Sequence, residues 1–134
     1  MRLLIQMALV AVGSSLGGLL RWAVGEASLY LLGPGYPWGT FFINISGSLF
    51  LGWFATLLSE HLLPTGWDWV RPDDLRLLVA VGFTGAYTTF STYEYESQKL
   101  LGDGDGFKGM TYMLGSVFFG LLAVRLGVFL ARWA

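Results

Sequence analysis

Apolar residues come in long blocks along this chain, and the polar residues between them are short and turn-forming. Four blocks carry few or no charges: Leu3–Leu20, Thr40–Ser59, Leu77–Tyr93 and Gly109–Val124. Each approaches the roughly 17–25 residues that take a helix across the hydrocarbon layer of a bilayer. With their flanks they predict spans at about 3–24, 40–62, 75–101 and 108–133. The breaks between them are explicit. Gly33-Pro34-Gly35-Tyr36-Pro37 reads as a turn, Pro64–Asp74 is the longest polar loop, and Gly102–Gly106 (GDGDG) is a tight one. Asp73 or Asp74 is placed to cap the third helix.

The third block is not uniform. Residues Gly82–Tyr93 read GFTGAYTTFSTY, with two glycines and a dense set of hydroxyls at membrane depth. In lipid a helix loses its regular hydrogen bonds only where protein or a water-filled cavity satisfies the freed groups. A polar, glycine-interrupted stretch there is the best sequence pointer to an ion or substrate site. The third helix is therefore expected to be broken at its centre.

Composition narrows the class. Of 134 residues, 54% are hydrophobic, and only eight basic and nine acidic residues are present. The fold expected is an all-α membrane protein of one domain, residues 1–134. No small-x-small cleavage site follows the first block, so it is read as a span and not a signal peptide. Cysteine is absent, which excludes disulfides and thiolate chemistry. A net charge of −1 gives no sign of nucleic-acid binding. The single His61 falls near the end of the second span, an interfacial position. Trp22, Trp38, Trp67, Trp69 and Trp133 also fall near span ends, as an aromatic belt would put them. Positive charge is nearly balanced. Arg2, Arg71, Arg76 and Arg132 lie on one side, against Arg21, Lys99 and Lys108 on the other. So little bias leaves both orientations open, and an antiparallel homodimer becomes a natural assembly.

The candidate chemistry sits in the middle spans. Thr84, Thr88 and Thr92 recur every four residues and share a face while the helix holds. Gly82 and Gly85 would loosen the backbone and free carbonyls from Gly85 to Thr88, oxygens suited to a small hard cation. Phe90 and Tyr93 present rings to one neighbour, and a ring edge is positive enough to line an anion path. Asn44 supplies amide donors at bilayer depth, with Ser46 and Ser48 close by. Each feature has a plainer reading as helix packing or an interhelical hydrogen bond. Gly13-x-x-x-Gly17 and Ser116-x-x-x-Gly120 are small-residue packing faces, and Arg21 either snorkels or forms an anion vestibule. Asp103-x-Asp105-Gly106 lacks the later ligands of a calcium loop, and no nucleophile–base pair is present. The chain is read as a non-enzyme.

The stretch Gly82–Tyr93, taken with Gly39-Thr-Phe-Phe-Ile-Asn44 and Gly18-Leu-Leu-Arg21-Trp22, resembles the small bacterial fluoride exporter channels across all four spans. That resemblance implies a dual-topology antiparallel homodimer in a bacterial or archaeal plasma membrane, with fluoride passing by passive export. It implies a structural Na⁺ at the dimer interface, held by the main-chain carbonyls of Gly85 and Thr88. It makes Asn44, Phe90, Tyr93, Thr92, Ser116 and Arg21 the fluoride-pore residues. The family usually carries phenylalanine and a small residue where this chain has Tyr93-Glu94. The tyrosine hydroxyl would then donate to fluoride or narrow the path, and Glu94 would oppose an anion unless it faces away. Some members work only as heterodimers of two related chains. A small multidrug antiporter, the other four-span dual-topology dimer of this size, needs an acidic residue in its first span, and Leu3–Leu20 has none.

Overall fold

The computed structural model describes residues 1–62 and 71–133, and every regular element among them is helical. Helix α1 spans Arg2–Leu32, and α2 spans Trp38–Leu57 before widening into a π turn at Leu58–Leu62. Helix α3 covers residues 72–87: an α turn Pro72–Leu75, a π-helical stretch Arg76–Thr84 and a last α turn Gly85–Tyr87. Helix α4 spans Phe90–Gly102, and α5 spans Gly106–Arg132. Among the described residues, three continuous helices are long and apolar enough to cross a membrane, namely Arg2–Leu32, Trp38–His61 and Gly106–Arg132. The third expected span is instead two pieces, α3 and α4.

Several boundaries differ from expectation for local reasons. Helix α1 continues past Val24 to Leu32, because nothing stops it before Gly33. That glycine adopts φ +75° and donates its N–H back to the Leu29 carbonyl at 3.0 Å. Helix α3 is capped by Arg71, with Pro72 at its first position, and not by an aspartate side chain. Asp73 and Asp74 lie inside the first turn, where their charge suits the helix N-terminus. Most of the 64–74 loop, with Trp67 and Trp69, lies outside the described residues.

Lipid is as apolar as leucine, so helices in a membrane associate through close packing at small residues. This chain does so repeatedly. Gly13 and Gly17 press against the backbone of α3 at Leu78, Gly82 and Phe83, leaving no room for a Cβ. Gly52 meets the backbone of Val124, and Gly127 meets Leu49 and Trp53, so α2 and α5 lie backbone to backbone. Gly39 approaches Gly25 where α1 and α2 converge. By contrast Gly18, next in sequence to Gly17, has open space around it.

That difference is testable. Gly17→Val should lower the thermal unfolding midpoint of the detergent-solubilised protein, since forcing bulk into a packed contact costs about 1–3 kcal/mol. Gly18→Val should shift it little. Equal midpoints for the two variants would contradict the packing of α1 on α3.

Candidate functional site

The third span breaks one full turn later than its glycines suggest. Gly82 and Gly85 stay within the helix, Gly85 at φ −63°, ψ −34°. Gly82 is there for close approach, since a side chain would meet Val10 and Gly13 of α1. The chain leaves the helix at Thr88 (ψ 158°) and Thr89 (φ −149°, ψ 118°), both extended. Thr92 therefore lies beyond the break and does not share a face with Thr84 and Thr88. Those two hydroxyls serve their own helix, Thr84 Oγ1 donating to the Val79 carbonyl and Thr88 Oγ1 to the Thr84 carbonyl, each at 2.9 Å.

Asn44 of α2 holds the break. Its Nδ2 donates to the Thr89 carbonyl at 3.0 Å, and its Oδ1 accepts the Thr89 N–H at 2.8 Å. One side-chain amide thus replaces the acceptor that an unbroken helix would have given the Thr89 N–H, and adds a donor to the Thr89 carbonyl, which as the N-cap carbonyl also accepts the first bond of α4. The Thr89 hydroxyl then starts α4, accepting the Thr92 N–H at 3.3 Å and donating to Thr92 Oγ1 at 3.0 Å. The carbonyls at the broken turn lose their usual partners as a result, Gly85 and Thr88 among them. In a continuous helix the Thr89 N–H would serve the Gly85 carbonyl and the Thr92 N–H the Thr88 carbonyl. Both donors are engaged elsewhere.

Two cavities meet at this break. The narrower, about 280 Å³, is lined by Asn44, Ser48, Phe90, Tyr93 and Ser116 among others. The wider, about 710 Å³, lies toward the Gly33–Pro37 turn and takes in Arg21, Thr92, Glu96 and Lys99. Thr89 is the one residue lining both. Four of the expected pore residues thus share one cavity, while Arg21 and Thr92 line the other. Aromatic rings run alongside the junction: Tyr36 to Tyr112 (centroids 5.6 Å), Tyr112 to Tyr93 (5.4 Å) and Tyr93 to Phe90 (5.8 Å). Burial raises the Tyr36 phenol above its ordinary value, partly offset by the Thr111 hydroxyl, so it stays a protonated donor at neutral pH.

The donors are unevenly committed. The Tyr93 hydroxyl gives its proton to the Met113 carbonyl of α5 at 3.1 Å, so that proton is committed although Tyr93 lines the narrow cavity. Asn44 keeps one N–H beyond the one it gives to the Thr89 carbonyl. Ser116 Oγ is buried with no hydrogen-bond partner, alone in this among the described side chains. Glu94 is exposed and lines neither cavity, whereas Glu96 accepts from the Tyr112 hydroxyl at 2.8 Å. Thr89, Tyr112 and the Met113 carbonyl were not foreseen from the sequence. Only Thr89 carried a signal, as a hydroxyl residue immediately before a resumed helix.

A chain with several membrane-length helices, one of its expected spans interrupted beside a cavity, is a multi-pass membrane protein. The family model described as "CrcB-like protein, Camphor Resistance (CrcB)" matches residues 8–128, and the chain belongs to that family. A protein of Chloroflexus aurantiacus, named as the fluoride-specific ion channel FluC, is 40% identical over 124 residues, covering 92% of this chain and 93% of its own. A FluC of a Synechococcus species is 41% identical over 126 residues, with 92% and 89% covered. One of Rhizobium leguminosarum is 37% identical over 129 residues, with 96% and 98% covered. The resemblance read from Gly82–Tyr93, Asn44 and Arg21 is borne out at the level of family.

If Asn44 holds the break, Asn44→Ala should speed hydrogen exchange at the Thr89 amide by about tenfold or more, as two hydrogen bonds of about 1 kcal/mol each are lost. Mass spectrometry on peptides spanning Thr89 reads this directly. Unchanged exchange would mean that the break stands without Asn44.

Proposed function

We propose that this chain forms a fluoride-selective channel that lets fluoride leave the cell passively across a bacterial or archaeal plasma membrane. The observation that carries the reading is the narrow cavity at the helix break, which gathers Asn44, Phe90, Tyr93 and Ser116. Fluoride is small and holds its water tightly, so a selective path must replace that water with strong donors at close range. An Asn44 N–H, the unpartnered Ser116 hydroxyl and the edges of two rings are of that kind. No fixed cation lines this cavity, which suits an ion that has to leave again. Flow down a gradient needs no catalysis, and the chain is read as a non-enzyme. The relatives' shared name, fluoride-specific ion channel, agrees with it.

The working unit in this reading is an antiparallel homodimer of four-span subunits with dual topology. Phe90 is 73% exposed on the single chain, although it stands beside the break. A second copy would cover that ring and close the cavity's open side. The Gly85 and Thr88 carbonyls, whose helical donors are diverted, would hold a Na⁺ between subunits. Two neutral oxygens from each copy suit a hard, singly charged cation. Arg21 and Thr92 would then belong to the entrance and not the constriction. The antiporter alternative finds no support, since the acidic residue that the longer α1 does contain, Glu26, is exposed and near the helix end.

Liposomes holding the purified chain alone, loaded with potassium fluoride and potassium chloride, test the reading with ion-specific electrodes. Rapid fluoride release with negligible chloride release is expected. No fluoride release from well-folded dimers would overturn the homodimer and point to a second related chain. Exchanging sodium for a large organic cation should lower the thermal midpoint of the dimer. An unchanged midpoint would remove the sodium site.

A further inference from the structure

Several helical serines and threonines of this protein spend their hydroxyl protons on their own backbone. Ser15, Ser46, Ser59, Ser97 and Thr111 each donate to a carbonyl three or four residues earlier, at 2.7–3.3 Å. This is the ordinary fate of a hydroxyl on a helix, and it leaves no proton for a ligand. Ser116 departs from it. Its Oγ is buried and makes no hydrogen bond, although the Met113 carbonyl lies three residues earlier on the same helix. That carbonyl is the one to which the Tyr93 hydroxyl donates, at 3.1 Å.

We infer that the Tyr93 hydroxyl occupies the Met113 carbonyl and thereby keeps the Ser116 proton free for an anion in the cavity. Tyr93 is then a positioning residue that acts through Ser116, in addition to presenting its ring. A phenylalanine here would fill the same volume but leave the carbonyl's second lone pair open. Ser116 Oγ–H would turn onto it, as Ser59 does onto the Thr56 carbonyl, also three residues back, at 3.2 Å. The cavity would lose a donor without losing shape. The tyrosine at this position thus sets donor count and not merely width. The inference rests on the channel reading for its functional consequence, but the hydrogen-bond exchange itself does not.

Two measurements keep those apart. In liposomes, Tyr93→Phe and Ser116→Ala should each slow fluoride release about fivefold, the effect expected of one hydrogen bond. The double variant should be no slower than Ser116→Ala alone. Independent, multiplying effects would overturn the inference, as would full activity of Tyr93→Phe. The second measurement needs no transport. Protein labelled with carbonyl-¹³C methionine is compared by solid-state NMR in bilayers. In the parent chain, Ser116→Ala should leave the Met113 carbonyl resonance in place. In the Tyr93→Phe background, the same change should move it. A shift already seen in the parent chain would show that Ser116 bonds Met113 despite Tyr93, and the inference would fail. If the parent chain carries no fluoride but the resonances behave as stated, only the channel reading fails.

Discussion

One side-chain amide organises the functional region. Asn44 accepts the Thr89 N–H that the broken helix leaves without its carbonyl and donates to the Thr89 carbonyl, and in doing so makes an interrupted helix affordable in a setting without water. Without that pair, an extended residue at this depth would carry an unpaired N–H, a cost of several kcal/mol in hydrocarbon. Everything else at the site follows from the interruption. It turns α4 so that Phe90 and Tyr93 face the cavity, starts a new helix at the Thr89 hydroxyl, and withdraws the donors that the Gly85 and Thr88 carbonyls would have had.

The scaffold around the break is rigid for a reason that differs from a soluble core. Its helices meet at glycines, backbone against backbone, with Gly13 and Gly17 on α3 and Gly52 and Gly127 between α2 and α5. Large apolar side chains are mostly displaced outward, where lipid or a second copy can cover them. The π-helical stretch Arg76–Thr84 belongs to the same economy. Its wider turn is bound by Thr84 Oγ1 reaching the Val79 carbonyl, five residues back. The packing thus keeps α3 close to α1 as far as Tyr87, and the chain departs where Asn44 receives Thr89.

The class and the site's location were legible in the sequence because lipid imposes strong rules on both. Apolar block lengths gave helices, and the polar run Gly82–Tyr93 marked the interruption. The exact break was not legible. Glycine is permissive in two ways, and at Gly82 it served close packing instead of backbone freedom. Thr89, an ordinary residue, is extended with its N–H on Asn44, 45 positions away in sequence, and not on the preceding helix. The dispositions of Tyr93 and Glu94 were equally out of reach. Whether a hydroxyl meets an ion or a carbonyl depends on the neighbouring helix, and here Met113 supplies the acceptor.

A crystal structure of the chain, grown in sodium fluoride and refined at high resolution, tests the central claim most directly. The account predicts an antiparallel pair with Asn44 bonded to the Thr89 backbone, and anion density in the cavity within reach of Asn44, Phe90 and Ser116. A third helix continuous through Thr88 and Thr89, with Asn44 bonded elsewhere, would contradict it.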